Sequence, residues 1–110
     1  MPGLQTAFNF VVQKCNSLNV GYSQTYREGQ VVNGIQYYDC SSLMSAACYE
    51  GGLLSSNPWF TTRSMDYYLT GTGFQKMSAS VSWLAGDILW RSGHTEMVYQ
   101  PTEGGGITMG

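Results

Sequence analysis

Charge is scarce in this chain, because Asp, Glu, Lys and Arg make up only 11% of its 110 residues, against about a quarter in typical globular proteins. The five basic residues form no cluster and the net charge is −2, which argues against a nucleic-acid partner. No stretch approaches the roughly 20 apolar residues of a membrane span, so we expect no membrane insertion. The N-terminus has no basic-then-apolar pattern, so we expect no signal peptide.

Cysteine and histidine are also few. Three cysteines are too few, and odd in number, for a disulfide framework, so at least one thiol must be free. There is no C-x-x-C pair and only one histidine, His94, which argues against a Cys/His zinc site. We therefore expect no metal, and the chemistry of the individual thiols becomes the main question.

Apolar and aromatic residues are plentiful by comparison. Apolar residues account for 43% of the sequence, which is enough for the single core of one domain. Eight Tyr, three Trp and four Phe are present. Tyr and Trp suit a polar, ring-bearing ligand such as a glycan, but they serve equally well as core and rim residues. Both interpretations stay open at this point.

The first 38 residues predict a helix followed by a loop. Apolar residues recur at steps of three and four between residues 3 and 18, as on one face of an amphipathic helix. Residues 19–38 are rich in Gly, Tyr, Ser and Asn, which predicts an irregular loop with a short hairpin at Asn33-Gly34. Cys15 is predicted to be buried as part of the helical stripe, whose members are Leu4, Ala7, Phe8, Val11, Val12, Cys15 and Leu18.

Two further helices are predicted before the pattern changes. Residues 40–50 form the second, which ends at Gly51-Gly52. The third runs from about residue 62 to residue 69, with Thr61 or Thr62 as its N-terminal cap and Gly71 just beyond its end.

Short β-type runs follow, over residues 75–78, 87–90, 94–100 and 106–109. Helices first and strands afterwards predict an α+β domain in which N-terminal helices pack on an antiparallel sheet. The last run stops as its strand begins, and a sheet that ended there would expose an unpaired edge. We therefore expect the chain to be an N-terminal fragment of a longer protein, with its fold truncated at the C-terminus.

Cys40 stands where the second helix is predicted to begin. Unpaired N–H groups and the helix dipole favour a thiolate there, and the same N–H groups can stabilise an oxyanion. A nucleophile needs a base, and the only histidine is His94. The alternative is that both residues are structural. Cys48, two turns further along the helix, is predicted to pack in the core.

Four motifs, in order along the chain, carry a resemblance to a known family. Asp39-Cys40-Ser41-Ser42 resembles the nucleophile motif of the NlpC-type cysteine peptidases, which are papain-like cell-wall hydrolases. The likeness is closer to the bacteriophage peptidoglycan hydrolase branch, which includes phage endolysin amidases. The other three motifs are Y-S-x-x-x-R-x-G at residues 22–29, W-x-x-G-D at 83–87 and G-H-T-x-M at 93–97.

The resemblance implies a papain-like NlpC-type fold in which residues 1–110 form the catalytic domain. Cys40 would be the nucleophile and His94 the general base. Tyr22 matches a family tyrosine that lies near the thiol and the substrate. Substrate-binding roles are also assigned to Asp39, which alternatively shapes its loop, and to Ser41. Arg27 is a candidate for binding a substrate carboxylate, and the equal alternative is a local ion pair with Glu28 or Asp39.

Family members carry a third polar residue that orients the base. We expect it to lie beyond residue 110; the alternatives are that Thr108 or Glu96 substitutes for it.

The implied function is cleavage of an amide bond in bacterial peptidoglycan without any cofactor. An N-acetylmuramoyl-L-alanine amidase is favoured, and an endopeptidase comes next. The alternatives are a non-catalytic wall-binding module on the same fold and, less favoured, a papain-like transferase or protein peptidase. The enzyme would be made in the host cytoplasm and act on the wall after release. A C-terminal wall-binding domain would often follow in the parent protein.

Overall fold

The computed structural model describes residues 3–78 and 80–110. Three helices and two three-stranded sheets make up an α+β fold, as the sequence predicted. In chain order the elements are α1 (Leu4–Cys15), β1 (Val20–Tyr22), β2 (Val31–Val32), β3 (Ile35–Tyr38), α2 (Cys40–Glu50), α3 (Met65–Thr70), β4 (Ile88–Arg91), β5 (His94–Thr102) and β6 (Gly105–Met109).

Helix α1 is shorter than predicted, and its apolar stripe is narrower. Side chains bind the last carbonyls: Asn16 Nδ2 donates to Val12 O and Ser17 Oγ donates to Gln13 O. These bonds replace a further helical turn. Leu18 therefore lies beyond the helix and is 97% exposed. The prediction that Cys15 is buried is also wrong, because it sits on the exposed last turn.

The segment predicted to be a loop forms a small mixed sheet with the strand order β1-β3-β2. The hairpin predicted at Asn33-Gly34 is confirmed. Both residues have positive φ, 51° and 82°, as a two-residue turn of type I′ requires. Strand β1 pairs in parallel with β3. This pairing was not predicted, because three residues are too few to show a period.

Helix α2 lies at the centre of the core with the predicted bounds. Nine of its eleven residues, from Cys40 to Cys48, are buried. It packs against α1 and β5, and its small residues let these elements come close. Gly52, just past the C-cap Gly51, has a φ of +74°, the left-handed conformation expected after a helix end.

Helix α3 begins at Met65, three residues later than predicted. Neither threonine is its cap: Ser64 is the N-cap residue. Thr61 O accepts the N–H groups of both Ser64 and Met65, so residues 61–64 form a turn instead of a first helical turn. Gly71 ends the helix, as predicted.

The second sheet is antiparallel with the order β4-β5-β6, and three of the four predicted strands are found within two residues of the predicted bounds. The prediction of a strand at residues 75–78 is wrong. All four residues are exposed, so they offer no buried face for a sheet. No helix within residues 3–78 and 80–110 is long and apolar enough to cross a membrane.

Candidate active site

The start of α2 is fixed by a reciprocal cap. Asp39 Oδ1 accepts the Ser42 N–H at 2.9 Å, and Ser42 Oγ accepts the Asp39 N–H at 2.9 Å. Ser42 Oγ also accepts the N–H of Glu28 at 3.3 Å. The motif before the helix therefore determines where the helix begins, and it places Cys40 at the first helical position.

Cys40 opens onto a cavity although it is largely buried. The residue is 5% exposed. The cavity has a volume of about 220 Å³. The backbone N–H of Cys40, which lines the cavity, donates to no partner within the described residues, so it is free to bind an oxygen of a ligand there. The lining residues are Lys14, Cys15, Val20, Gly21, Tyr22, Tyr38, Asp39, Cys40, Leu43 and Gly110.

Tyr22 and Asp39 thus line the same cavity as Cys40, and their substrate-binding roles stay predictions. Tyr22 is 61% exposed, and its hydroxyl accepts a long hydrogen bond of 3.4 Å from Gln24 Nε2. The Tyr22 ring is therefore accessible to a ligand without a prior change in its packing.

Arg27 and Ser41 lie beside the helix start, but Arg27 is held in local contacts. Arg27 Nε is 2.9 Å from Asp39 Oδ2, and Nη1 is 3.2 Å from Glu28 Oε2. The Nε–H is not aligned with the carboxylate, so this contact is an ion pair without a well-formed hydrogen bond. Nη2 donates to Phe60 O at 3.3 Å and to the buried Ser41 Oγ at 3.5 Å. The local ion pair is the alternative that the sequence had left open; the substrate-binding roles of Arg27 and Ser41 stay predictions.

His94 begins β5, directly after the turn that joins it to β4. The turn is anchored to the segment before α3, because Gly93 N donates to Thr62 Oγ1 at 3.1 Å and Trp90 Nε1 donates to Thr62 O at 2.7 Å. His94 Nε2 lies 2.6 Å from Glu96 Oε1. Both side chains are about one third exposed, at 37% and 31%.

Glu96 has a second partner on the neighbouring strand. The Thr108 side chain is near enough to act on its carboxylate, and this interaction, followed by the hydrogen bond to His94, lowers the pKa of Glu96 from its ordinary value of 4.5. Glu96 is therefore ionised at neutral pH. The spacing of two along a strand, which puts two side chains on one face, is the sequence signal for this pair.

No hydrogen bond joins Cys40 to His94 among the described residues. They stand on two elements that pack together, α2 and β5. On β5 the buried Thr95 and Met97 alternate with the half-buried His94 and Glu96. The pair His94–Glu96 thus shares one face of the strand, opposite to the face on which Met97 joins the core.

The other two cysteines differ from Cys40 in their surroundings. Cys48 is fully buried, as predicted, and burial raises its pKa from 9.0 to about 12. Cys15 is exposed yet lines the same cavity as Cys40. Partial desolvation raises its pKa, which a hydrogen bond with the Gly110 backbone partly offsets. Nothing in the sequence indicated that Lys14 and Cys15 would reach this cavity, because they lie 25 residues or more from Cys40.

In the part of the chain that the structure describes, no group of three or more His, Cys, Asp or Glu side chains is arranged to hold a metal ion. Comparisons of the chain with protein-family models, with curated proteins and with solved structures find no match.

Proposed function

We propose that this chain is the catalytic domain of a cysteine-dependent peptidoglycan hydrolase of the bacteriophage endolysin type, with a papain-like NlpC-type fold. The observation that carries the proposal is the position of Cys40. Its thiol stands at a capped helix start, beside a cavity and beside the Cys40 N–H, which has no partner among the described residues. The four sequence motifs support the same assignment.

The chemistry follows from these positions. Cys40 Sγ attacks the carbonyl carbon of the amide, and the N–H group of Cys40 helps to stabilise the oxyanion that forms. His94 takes the thiol proton and gives it to the leaving amine as the C–N bond breaks. Water, deprotonated by His94, then hydrolyses the resulting thioester and restores the thiol. For these reaction steps to occur, His94 must come within hydrogen-bonding reach of Cys40 when substrate is bound.

The cavity suits a short, partly apolar peptide segment. Leu43, Val20 and Tyr22 give it apolar surface, and Lys14 gives it a positive charge near its wall. The Lys14 amine donates to Gln36 Oε1 at 2.9 Å and lies 5.3 Å from the centre of the Phe10 ring. We favour the bond between N-acetylmuramic acid and L-alanine as the one cleaved, with a bond inside the stem peptide as the next choice.

Digestion of purified peptidoglycan tests the proposal. We expect soluble fragments in which mass spectrometry and amino-group labelling identify L-alanine as the new N-terminal residue. A new N-terminus at another stem residue would assign the chain as an endopeptidase. New reducing sugar ends, or no released fragments at all, would contradict the proposal.

A wall-binding module without catalysis is the second candidate. The missing hydrogen bond between Cys40 and His94 favours it, together with the exposed rings of Tyr22, Tyr26 and Tyr67. Alkylation by iodoacetamide separates the two candidates. A nucleophilic Cys40 is alkylated well before Cys15, although Cys15 is the more exposed thiol. Equal rates at the two residues, with tight sedimentation on intact walls, would favour the binding module.

A further inference from the structure

The His94–Glu96 pair, together with Thr108, forms a chain of three polar side chains across β5 and β6. His94 Nε2 contacts Glu96 Oε1 at 2.6 Å, and Thr108 lies near enough to the same carboxylate to lower its pKa. The strands pair in antiparallel register, with Val98 opposite Thr108. Thr108 is therefore diagonal to Glu96, which is within the reach of adjacent strands.

A carboxylate only accepts hydrogen bonds, so the proton between Glu96 and His94 belongs to His94 Nε2. In the neutral imidazole this leaves Nδ1 as the nitrogen with the free lone pair. A base needs that arrangement, because one nitrogen must be held while the other accepts a proton. The ionised state of Glu96 at neutral pH keeps the pair in this form.

We propose that Glu96 is the positioning residue of the base, and that it fixes the Nε2–H tautomer and the ring orientation of His94 while Thr108 holds the Glu96 carboxylate. This proposal rests on the proposed function for its catalytic consequence. It replaces the expectation that the orienting group lies outside residues 1–110. The orienting group, Glu96, then lies on the same strand as the base, two residues after His94.

Three features support a positioning role over a simple surface ion pair. The separation of 2.6 Å is slightly shorter than the roughly 2.7–2.9 Å of charge-assisted N–H···O bonds. Thr108 lies on the neighbouring strand, diagonal to Glu96, and interacts with the same carboxylate. The turn before His94 is also anchored, through Gly93 and Trp90, to Thr62. The imidazole is thus held at Nε2 by Glu96, and the turn that leads into His94 is fixed to Thr62.

The test uses the fact that the chain has one histidine, so every imidazole signal in a proton–nitrogen NMR spectrum belongs to His94. We expect a downfield Nε2–H resonance that exchanges slowly with water in the native chain. Glu96→Ala should abolish it. Glu96→Gln should retain it, because the amide oxygen accepts the same bond without the charge. Glu103→Gln, in the exposed turn between β5 and β6, is the matched control and should change nothing.

Kinetics on a soluble disaccharide–peptide fragment give the second measurement. Glu96→Ala should lower kcat on the order of 10²-fold, as expected for an impaired general base, and leave KM unchanged. Glu96→Gln should recover most of this loss. Thr108→Val, which keeps the side-chain shape, should lower kcat severalfold.

The outcomes separate this inference from the proposed function. If Glu96→Ala retains the Nε2–H resonance, or lowers kcat without affecting the resonance, the positioning role is wrong. If the resonance behaves as expected but the native chain cleaves no peptidoglycan, the positioning of His94 stands and the proposed function fails.

Discussion

Asp39 and Ser42 cap each other at the start of α2: each backbone N–H donates to the other residue's side chain at 2.9 Å. The capping residue directly precedes Cys40, so the bonds that begin the helix also fix the position of the thiol. Asp39 adds an ion pair to Arg27. The Asp39 side chain thus caps the backbone of α2 and also pairs with Arg27.

Asp39→Ala should therefore lower the free energy of unfolding by about 1–3 kcal/mol, because the cap is lost and the mostly buried Arg27 loses a partner. Asp39→Asn should lose less, since the amide oxygen still caps the helix while the charge is gone. Urea unfolding of the three proteins measures the difference. An Asp39→Ala protein as stable as the native chain would show that the cap contributes nothing.

The close approach of α1 and α2 depends on glycine at the end of α2. A Cβ on Gly51 would lie 2.5 Å from Gly3 O and 3.2 Å from the Ala7 Cβ, so Gly51→Ala should destabilise the chain by about 1–3 kcal/mol. Gly71→Ala is the matched control. Gly71 is also a helix C-cap, with a φ of −72° against −75° for Gly51.

A Cβ on Gly71 would meet only ordinary contacts at 3.5 Å. Gly71→Ala should therefore be neutral or slightly stabilising, since alanine reduces the entropy of the unfolded chain. Thermal unfolding of both variants and of the native chain measures the two changes in stability. Equal effects of the two substitutions would mean that α1 and α2 can move apart without any loss of stability.

Cys48 should make stability depend on pH in the alkaline range. Its pKa is about 12 in the folded chain, against the ordinary value of 9.0. Between these values the folded state holds a proton that the unfolded state has released. The contribution of the neutral thiol is therefore complete below pH 9 and is lost as the pH rises.

The native chain should lose up to about 1.4 kcal/mol per pH unit more than Cys48→Ala over this range. Comparison of the two proteins cancels the titration of all other groups. Urea unfolding between pH 8 and pH 10.5 gives the slopes. Parallel slopes would show that Cys48 ionises as easily in the folded chain as in the unfolded one.

The sequence predicted the elements whose patterns are local. Helix α2 has the predicted bounds because its cap and its two terminal glycines are both in the sequence. The hairpin at Asn33-Gly34 is likewise determined by two residues that accept positive φ. The predictions failed where side chains ended an element early, as Asn16 and Ser17 do for α1, or where a short run lacked a buried face, as at residues 75–78.

The site was predictable in part for the same reason. The motif around Cys40 identified the helix start but not its cap, and Tyr22, which the resemblance associates with the thiol, lines the same cavity as Cys40. The sequence could not decide whether Arg27 binds a substrate or forms ion pairs with Asp39 and Glu28. The answer depends on distances in the folded chain. For His94 the sequence offered Glu96 only as an alternative orienting residue, although the spacing of two along one strand is the signal for this pair.

The role of Cys40 as the nucleophile is tested most directly by substitution of each cysteine in turn. Cys40→Ala, Cys15→Ala and Cys48→Ala each remove one thiol, and circular dichroism confirms that each protein is folded. The measurement is the rate at which free amino groups are released from purified peptidoglycan. We predict a loss of roughly 10³-fold or more for Cys40→Ala, as for other removed nucleophiles, and retained activity for the folded Cys15 and Cys48 variants. A folded Cys40→Ala protein that releases amino groups at the native rate would contradict the account.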